Sequence, residues 1–195
     1  MIMNTPSSLP LSWLQSLLQD SQVSQFELVQ SLWSDFGQLL RCYSPARQAS
    51  VIIKLISQPA TFRHPRGWSS QHSLKRKWRS YEIEQYFYTH YAPLFAGHGN
   101  LAKLITSDAQ NNESETRLAL VLSDLNAAGF EYRHQQLSAD ACKPVLAWLA
   151  AFHARFIHQA PDGLWQQGSY WHLATRPDEF SKMAEGPLKQ FDPAF

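Results

Sequence analysis

Two residues of opposite charge lie in parts of the sequence that are otherwise apolar or aromatic. Lys54 interrupts the β-branched run 51–56, which is typical of a strand covered on both faces. Glu84 follows thirty positions later, in a segment of helical periodicity whose stripe contains Leu74, Trp78, Tyr81 and Tyr88. A buried ammonium needs an anionic partner, and a lysine–glutamate pair of this kind can hold the α- and β-phosphates of a nucleotide.

The same two residues also fit a purely structural explanation. Lys54 could extend its apolar stem from a strand edge and keep its ammonium in water, while Glu84 could be solvated on the helix surface. Spacing alone favours this structural explanation, so the choice depends on the elements that position the two side chains.

The elements around the pair form a mixed order of helices and strands. Apolar periodicity predicts a leading helix capped by Ser12, two strands around a tight turn at 33–37, and a third, apolar strand. A long helix that ends before Pro93 follows, and then a short strand, a polar surface loop and a fifth strand. The predicted ranges are 11–19 for the first helix, 26–31, 38–43 and 49–57 for three strands, 73–90 for the long helix, 101–106 for the fourth strand, 107–115 for the loop and 117–123 for the fifth strand.

The second part of the chain has a different texture. The polar, small-residue connector 124–129 marks a boundary, after which Ser138 caps a helix with a continuous apolar stripe. That stripe consists of Val145, Trp148, Leu149, Phe152 and Phe156. Pro177 opens a last helix. The chain is therefore expected to consist of an α+β sheet domain at 1–124 and the beginning of a helical domain at 125–195.

Composition limits the class of protein. The 195 residues are 44% hydrophobic and 13% aromatic, which excludes a disordered chain, and 17 basic against 16 acidic residues give a net charge of +1. That charge provides no global field for nucleic acid or an anionic membrane. No run approaches the roughly 18 apolar residues of a membrane span, no secretory signal is recognisable, and two cysteines occur. We therefore expect a reduced, cytoplasmic protein without nucleic-acid or membrane partners.

Four short segments occur in a characteristic order. They are Val51-Ile52-Ile53-Lys54, residues 76–84 closed by Tyr88, Val121-Leu122-Ser123-Asp124-Leu125 with Gly129-Phe130, and Trp148-Leu149-Ala150-Ala151-Phe152-His153-Ala154. Together they resemble the choline-kinase-like and ecdysteroid-kinase-like phosphotransferases, relatives of the aminoglycoside phosphotransferases with a protein-kinase-like fold. Residues 168–179 resemble a bacterial branch of that family, and the resemblance extends over about residues 32–188.

The resemblance implies a fold and an activity. The implied fold is a protein-kinase-like N-terminal lobe, a mostly antiparallel five-stranded sheet with one long helix, followed by a hinge and the first helices of a helical C-terminal lobe. The implied activity is transfer of the γ-phosphate of ATP, with Mg²⁺, to a hydroxyl group of a small acceptor. Nucleotide and a small hydroxyl-bearing substrate are the corresponding partners.

The resemblance also implies nucleotide-binding residues. Lys54 would contact the phosphates and Glu84 would hold Lys54 through an ion pair, whereas Glu82 lies off the aromatic stripe. The hinge would meet adenine through backbone groups, because Ser123 stands where the family usually has glutamate. The hinge residues are Leu122, Ser123, Asp124 and Leu125. The loop that ends at Gly37 would cover the phosphates, although it contains a single glycine.

No catalytic residue and no metal ligand of such an enzyme is identified in the 195 residues. Asp35-Phe36-Gly37 precedes Lys54 and is interpreted as a turn, since the metal-binding motif of that spelling follows the catalytic loop. His98-Gly99-Asn100 carries no aspartate. A His-Gly-Asp loop followed by asparagine, and a later aspartate, would come after residue 188. The chain is therefore expected to be the truncated front half of an enzyme, inactive by itself.

A different class of function is also compatible with the sequence, namely a non-catalytic nucleotide-binding or protein-interaction module. The apolar stripe of the helix at 138–156 would be exposed in an incomplete lobe. It would then pair with another chain or with a second copy of this one.

Three weaker patterns have structural explanations that we favour. The basic cluster 75–79 could contact nucleic acid, but Trp78 belongs to the apolar stripe, and a solvated helix start explains the charges. His153 and His158 lie five positions apart and cannot share a metal ion from one helix. A cage for a cationic substrate such as choline would consist of Trp165, Tyr170 and Trp171. Packing of the last helix is the simpler explanation of these aromatic residues.

Overall fold

A computed structural model describes residues 9–32, 36–58, 71–111 and 116–167. In chain order its elements are helix α1 (Leu11–Leu18), strands β1 (Glu27–Ser31), β2 (Gly37–Ser44) and β3 (Ala49–Ser57), helix α2 (Gln71–Tyr86), strands β4 (Leu104–Asn111) and β5 (Thr116–Ser123), and helix α3 (Ala139–Phe156). Short 3₁₀ turns occur at Pro45–Arg47 and Ala92–Phe95, and a π-turn occurs at Phe87–Tyr91. The predicted α+β class with a five-stranded sheet is confirmed.

Every strand pair in this sheet is antiparallel, and the strand order is β1-β2-β3-β5-β4. β3 is therefore the central strand. Lys54 lies opposite Leu39 of β2 and Leu120 of β5, so it occupies the middle of the sheet. The alternative in which Lys54 extends from a strand edge is wrong.

Alternation along β3 sends its side chains to two separate cores. The first core joins Val51, Ile53 and Leu55 to the apolar side of α1. The second core lies on the opposite face, where Ile56 packs with residues of α2 and β5. Coverage of this second face is incomplete, since Ile52 remains partly exposed. The predicted coverage of the strand on both faces is therefore complete only on the α1 face.

Both cysteines are free, and they differ in burial. Cys42 belongs to the first core, where burial and, to a smaller extent, the charge of Asp20 raise the pKa of its thiol to about 11. Cys42 therefore behaves as a small apolar side chain.

α1 begins one residue before Ser12, so the predicted cap at Ser12 is wrong. Pro10 occupies the N-cap position without a side-chain hydrogen bond. Its carbonyl oxygen accepts the first helical hydrogen bond, from Leu14 N at 3.0 Å. The helix ends where Gln19 adopts the left-handed conformation, with φ 53°.

β4 begins later and extends further than predicted. The polar stretch expected to be a loop from residue 107 forms the second half of the strand, as far as Asn111. Pairing with β5 makes it a strand, and Asp108 lies opposite Ala119. β4 is an outer strand, where polar side chains can meet water. Trp13 Nε1 of α1 donates a hydrogen bond to Asp108 Oδ2 at 2.7 Å.

α2 does not continue to residue 90 as one regular helix, as was expected. It ends at Tyr86, and the chain then passes through the π-turn Phe87–Tyr91 and the 3₁₀ turn Ala92–Phe95. Pro93 lies in the first turn of the 3₁₀ segment, where its missing N–H costs no hydrogen bond. Both turns pack against the aromatic side of α3.

A tight turn begins the connection between the sheet and α3. Phe130 N donates to the carbonyl oxygen of Leu125 at 2.9 Å, and Gly129 has φ 90°. Ser138 caps α3 as predicted, because its hydroxyl accepts a hydrogen bond from Ala141 N at 3.2 Å. No helix in the described part of the chain combines the length and apolar character needed to cross a membrane.

Some predictions concern residues outside the described ranges. They are the turn residues 33–35, the loop residues 112–115, and the last helix beginning at Pro177.

Candidate functional site

Lys54 and Glu84 form an ion pair on the incompletely covered face of the sheet. Lys54 Nζ lies 2.8 Å from Glu84 Oε1 and 2.6 Å from Glu84 Oε2. Both side chains are mostly withdrawn from water, with exposed fractions of 17% and 30%. An ammonium has three N–H donors, so the pair leaves Lys54 able to donate to a further acceptor.

The local sequence explains why the two residues meet. Lys54 follows the buried Ile53, so its side chain leaves β3 on the face covered by α2. On α2, Tyr81 lies one turn before Glu84. Tyr81 is buried and packs against Phe36, with ring centres 5.8 Å apart. The buried ring of Tyr81 therefore fixes the rotation of α2, which aims Glu84 at the sheet.

A cleft of about 680 Å³ opens beside this ion pair. Its lining combines charged, aromatic and apolar side chains, and its volume is that of a small-molecule site. The residues that line it are Lys54, Lys77, Ser80, Tyr81, Ile83, Glu84, Phe87, Pro161, Leu164, Trp165 and Gln166. Of the three aromatic residues considered for a cage, Trp165 lines this cleft, while Tyr170 and Trp171 lie outside the described residues.

The loop after α3 reaches the cleft because two tyrosines hold it. The Tyr91 hydroxyl lies 3.0 Å from the carbonyl oxygen of Ala160 and 2.9 Å from that of Asp162. Gly163 lies so close to the ring of Tyr86 that a side chain would not fit there. These contacts join residues far apart in the chain, and no pattern in the sequence predicted them.

A second lysine, Lys77, also lines the cleft. From the sequence, Lys77 was expected to belong to a solvated basic cluster. Lys77 Nζ lies 4.8 Å from the centre of the Tyr81 ring, and Lys54 Nζ lies 5.2 Å from the same centre. Burial lowers the pKa of Lys77, and the charge of Lys54 lowers it further, against the opposing effect of Glu84. The spacing of Lys77 could have indicated that it lies in the cleft, since Lys77 precedes Tyr81 by four positions and Glu84 by seven.

The other basic residues at the start of α2 have different surroundings. Lys75 is exposed, and Arg76 is buried. Arg79 forms a surface ion pair with Glu82 at 3.0 Å. These side chains do not share one basic face with Lys77, and Glu82 is paired away from the sheet.

The expected hinge begins at the end of β5. Leu122 is buried and lies opposite Ile52 of β3. The Ser123 N–H donates to the carbonyl oxygen of Lys103 at 2.9 Å, and its hydroxyl accepts from Lys103 N at 2.9 Å. The side chain and the N–H of Ser123 are therefore engaged within the protein. Further along, the Leu125 carbonyl oxygen closes the connector turn.

Asp124 anchors the hinge to the sheet. Its Oδ2 accepts hydrogen bonds from Arg41 Nε at 2.7 Å and from Ser50 Oγ at 2.8 Å. Its Oδ1 accepts from Asn126 N at 3.0 Å, and Arg41 also pairs with Glu27 at 2.9 Å. Burial alone would raise the pKa of Asp124, but the hydrogen bonds and the charge of Arg41 outweigh it and lower that pKa below its ordinary value. The Asp124 carboxylate therefore has a structural role.

The sequence model of the ecdysteroid kinase-like family matches residues 43–161, which is more than half of the chain. The chain belongs to the ecdysteroid kinase-like family. The matched range contains Lys54, Glu84, Lys77 and the hinge residues 122–125. No curated protein matches the chain.

In this ecdysteroid kinase-like chain, Gly37 lies before the matched range and has a structural reason to be glycine. Its φ is 136°, and a Cβ there would overlap the carbonyl oxygen of Leu55 in β3. The Gly37 carbonyl oxygen accepts from Leu32 N at 2.8 Å, which closes the turn between β1 and β2. A role of Gly37 toward phosphate stays a prediction, because residues 33–35 lie outside the described ranges.

In the described residues of this family member no metal-binding cluster occurs, and the His98-Gly99-Asn100 tripeptide takes part in packing. In the described ranges, no group of three or more His, Cys, Asp or Glu side chains is placed to hold a metal ion. The ring of His98 stacks on Phe95, with centres 6.1 Å apart. Gly99 lies against Phe95 and Trp148, so this tripeptide takes part in packing between the 3₁₀ turn and α3.

Proposed function

We propose that this chain is the nucleotide-binding lobe of an ATP-dependent phosphotransferase that acts on a hydroxyl group of a small acceptor. Membership of the ecdysteroid kinase-like family supports a kinase-like phosphotransferase. The observation that carries the proposal is the Lys54–Glu84 ion pair, placed between the central strand and α2 beside a cleft. The order of the sequence segments supports kinship with choline-kinase-like and aminoglycoside phosphotransferases, in a bacterial branch.

Lys54 would bind phosphate groups of the nucleotide. Glu84 receives two contacts from the ammonium, so a phosphate oxygen can accept the third N–H. Glu84 also limits the directions in which the ammonium can point. The position of the phosphates would therefore be set by the packing of α2 on the sheet. ATP, when bound, supplies the phosphoryl group that is transferred.

The adenine ring would lie between the sheet and the hinge. Ile52 and Leu122 lie opposite each other in neighbouring strands, and Ile52 is two positions from Lys54 on the same face. An apolar surface is therefore continuous with the cation. Backbone groups of the hinge would contact the edge of the ring, and the hinge residues are Leu122, Ser123, Asp124 and Leu125.

Residues of this chain would hold the nucleotide without completing the reaction. Phosphoryl transfer in kinase-like folds uses an aspartate near the acceptor hydroxyl and side chains that hold Mg²⁺. The 195 residues contain no His-Gly-Asp segment. We therefore propose that this chain binds nucleotide but does not transfer a phosphoryl group by itself. We also propose that it acts in the cytoplasm and consists of a sheet lobe at 1–124 and the following residues 125–195.

Calorimetric titration of the purified chain with ATP tests this function. Lys54→Met removes the ammonium and keeps the stem, and we expect its affinity for ATP to fall about tenfold or more, because charge-assisted hydrogen bonds are lost. Lys75→Met is the matched control, since Lys75 is an exposed lysine on α2, the helix that carries Glu84, and its affinity should equal that of the wild type. Equal affinity of Lys54→Met and wild type would contradict nucleotide binding at this site. ATP-dependent phosphoryl transfer by the wild-type chain would contradict its inactivity.

A second candidate function is favoured by the surface of α3. Val145, Leu146 and Leu149 are 46%, 61% and 37% exposed. The aromatic side of the same helix packs against Phe95 through Trp148 and Phe152. The helix is therefore fixed in position, and only part of the predicted apolar stripe is exposed. An exposed apolar patch of this kind is typical of an interaction surface, and a second copy of this chain is the partner that we assign to it.

Static light scattering over a range of protein concentrations tests self-association. The wild type should increase in mean mass with concentration, and Leu146→Ser should shift that increase to higher concentration. Leu11→Ser, on the exposed surface of α1, is the control and should behave like the wild type. A wild type that stays monomeric at every concentration overturns this candidate.

A further inference from the structure

We infer that Lys77 is a second phosphate-binding residue, which makes the cleft select polyphosphate ligands over monophosphates. This inference rests on the proposed function and names the part of the ligand that the cleft recognises. It concerns a residue outside the Lys54–Glu84 pair, on a different element from Lys54.

Lys77 and Lys54 reach the same space from two elements. Lys77 extends from α2 and Lys54 extends from β3, and both line the cleft. Both ammonium groups lie within 5.2 Å of the centre of the Tyr81 ring. Because Tyr81 is buried, the position of its ring is fixed. Two cations, one from each element, therefore lie near one fixed aromatic ring.

The charges in the cleft favour an anion with more than one phosphate group. Of the described residues that line it, Glu84 is the only acidic one, and two lysines line the same cleft. Burial and the charge of Lys54 both disfavour the charged form of Lys77, which lowers its pKa. A polyphosphate would reduce the repulsion between the two ammonium groups by placing negative charge beside each of them.

The donors in the cleft come from two different elements. Lys54 directs two contacts to Glu84, so one phosphate oxygen satisfies its remaining donor. Lys77 reaches the cleft from α2 and would take a second phosphate group. The Ser80 hydroxyl is not a substitute, because it donates to the carbonyl oxygen of Lys77 at 2.6 Å. Affinity should therefore rise with the number of phosphates, and Lys77 should be responsible for that rise.

Calorimetric titrations with AMP, ATP and inorganic pyrophosphate test this inference. We expect Lys77→Met and Lys77→Gln to bind ATP and pyrophosphate about tenfold more weakly than the wild type, and AMP within about twofold of it. Lys77→Arg keeps the charge and should retain most of the affinity. Lys75→Met should match the wild type for all three probes. Thermal melting followed by circular dichroism verifies that each variant is folded. Lys77→Met and Lys77→Gln both remove the charge, so a folding defect in one of them leaves the other as the test.

The outcomes separate this inference from the proposed function. If ATP affinity is unchanged in the folded Lys77 variants, the inference is overturned and the function stands. If AMP and ATP lose affinity equally, the selectivity for polyphosphate is overturned. Pyrophosphate binding that depends on Lys77, without added affinity for ATP, supports the inference and overturns nucleotide binding. If the folded wild type binds none of the three probes, both are overturned.

Discussion

Asp20 is a single side chain that joins three segments of the protein. Its Oδ2 accepts hydrogen bonds from Ser44 Oγ at 2.7 Å and from Ala46 N at 2.9 Å. Its Oδ1 accepts a third hydrogen bond, from Gln22 N at 3.0 Å. The Ser44 and Ala46 hydrogen bonds hold the pKa of Asp20 below its ordinary value of 3.8. The segment after α1 is thereby fastened to the end of β2.

We expect Asp20→Asn to destabilise the fold at neutral pH and to have less effect in acid. A carboxylate whose pKa is lower in the folded chain stabilises the fold fully above the unfolded value, which is near 3.8. That contribution is lost as the pH falls through the folded value. Urea unfolding from pH 7 down to about pH 3 measures the difference in unfolding free energy between variant and wild type, which should shrink below about pH 4.

The control for this experiment is Asp140→Asn, at the exposed start of α3. Its difference from the wild type at pH 7 should be smaller than that of Asp20→Asn, because the Asp140 side chain is 88% exposed. A difference for Asp20→Asn that stayed constant over the whole pH range would show that packing, and not charge, is lost.

The pairing of Lys54 with Glu84 could be predicted only through the family resemblance, and the pairing of Arg41 could not be predicted at all. Strand alternation and helix periodicity put Lys54 and Glu84 in apolar or aromatic surroundings without showing that they meet. Arg41 and Asp124 meet 83 positions apart, and no periodic pattern connects them. The location of Lys77 was hidden for a related reason, because the rotation of α2 decides which basic side chain of the cluster turns into the cleft.

Among the elements, the buried strands β3 and β5 could be predicted more accurately than the outer strand β4. β3 and β5 are apolar runs, and burial requires such residues. The second half of β4 is polar, and pairing with β5 alone makes it a strand. Because this half of β4 is a strand only through its pairing with β5, its own sequence resembles that of a loop. The π-turn after α2 is likewise stabilised by packing against α3, which no local pattern shows.

Gly37→Ala should destabilise the protein more than Gly129→Ala. Both glycines have positive φ, 136° and 90°, so both variants incur a conformational cost of about 1–2 kcal/mol. At Gly37 the new Cβ would also overlap the backbone of Leu55, whereas no atom lies within 4 Å of a Cβ at Gly129. We expect Gly37→Ala to lower the free energy of unfolding by about 3 kcal/mol or more, measured by urea denaturation. Equal losses in the two variants would mean that β2 and β3 separate at little cost.

Across the whole molecule, Arg41 connects the sheet with the chain that leads to α3. It extends from β2, pairs with Glu27 of β1 and donates to Asp124 at the start of the connector. Ser50 of β3 adds a further hydrogen bond to Asp124. Four segments therefore meet at one guanidinium–carboxylate contact.

Arg41→Gln should lower the free energy of unfolding by about 1.5–3 kcal/mol, because the Asp124 carboxylate, 3% exposed, would lose its charged partner. Arg79→Gln is the control, since Arg79 and Glu82 are 50% and 42% exposed, and its effect should stay below about 1 kcal/mol. Urea unfolding measures both variants. Hydrogen exchange of the amides at 125–130 should also become faster in Arg41→Gln alone. Similar effects of the two substitutions would contradict the anchoring role of Arg41.

The order of elements in the described chain could be predicted because each element carries its own periodic pattern. The position of the loop after α3 could not, since residues 161–166 have no periodicity. Their place beside the cleft depends on Tyr91 and on the close approach of Gly163 to Tyr86. The cleft was therefore predictable on its β3 and α2 sides and not on its third side.

The central position of β3 has a consequence for how the chain reaches its fold. β1, β2 and β3 form a local meander and β4 and β5 form a local hairpin, but the pairing of Val51 with Ser123 joins distant parts of the chain. Closing that junction costs loop entropy and is a slow kind of step. Until β5 docks, β3 presents an apolar, unpaired edge that a second unfolded chain can occupy. The yield of refolded protein should therefore fall as the chain concentration during refolding rises.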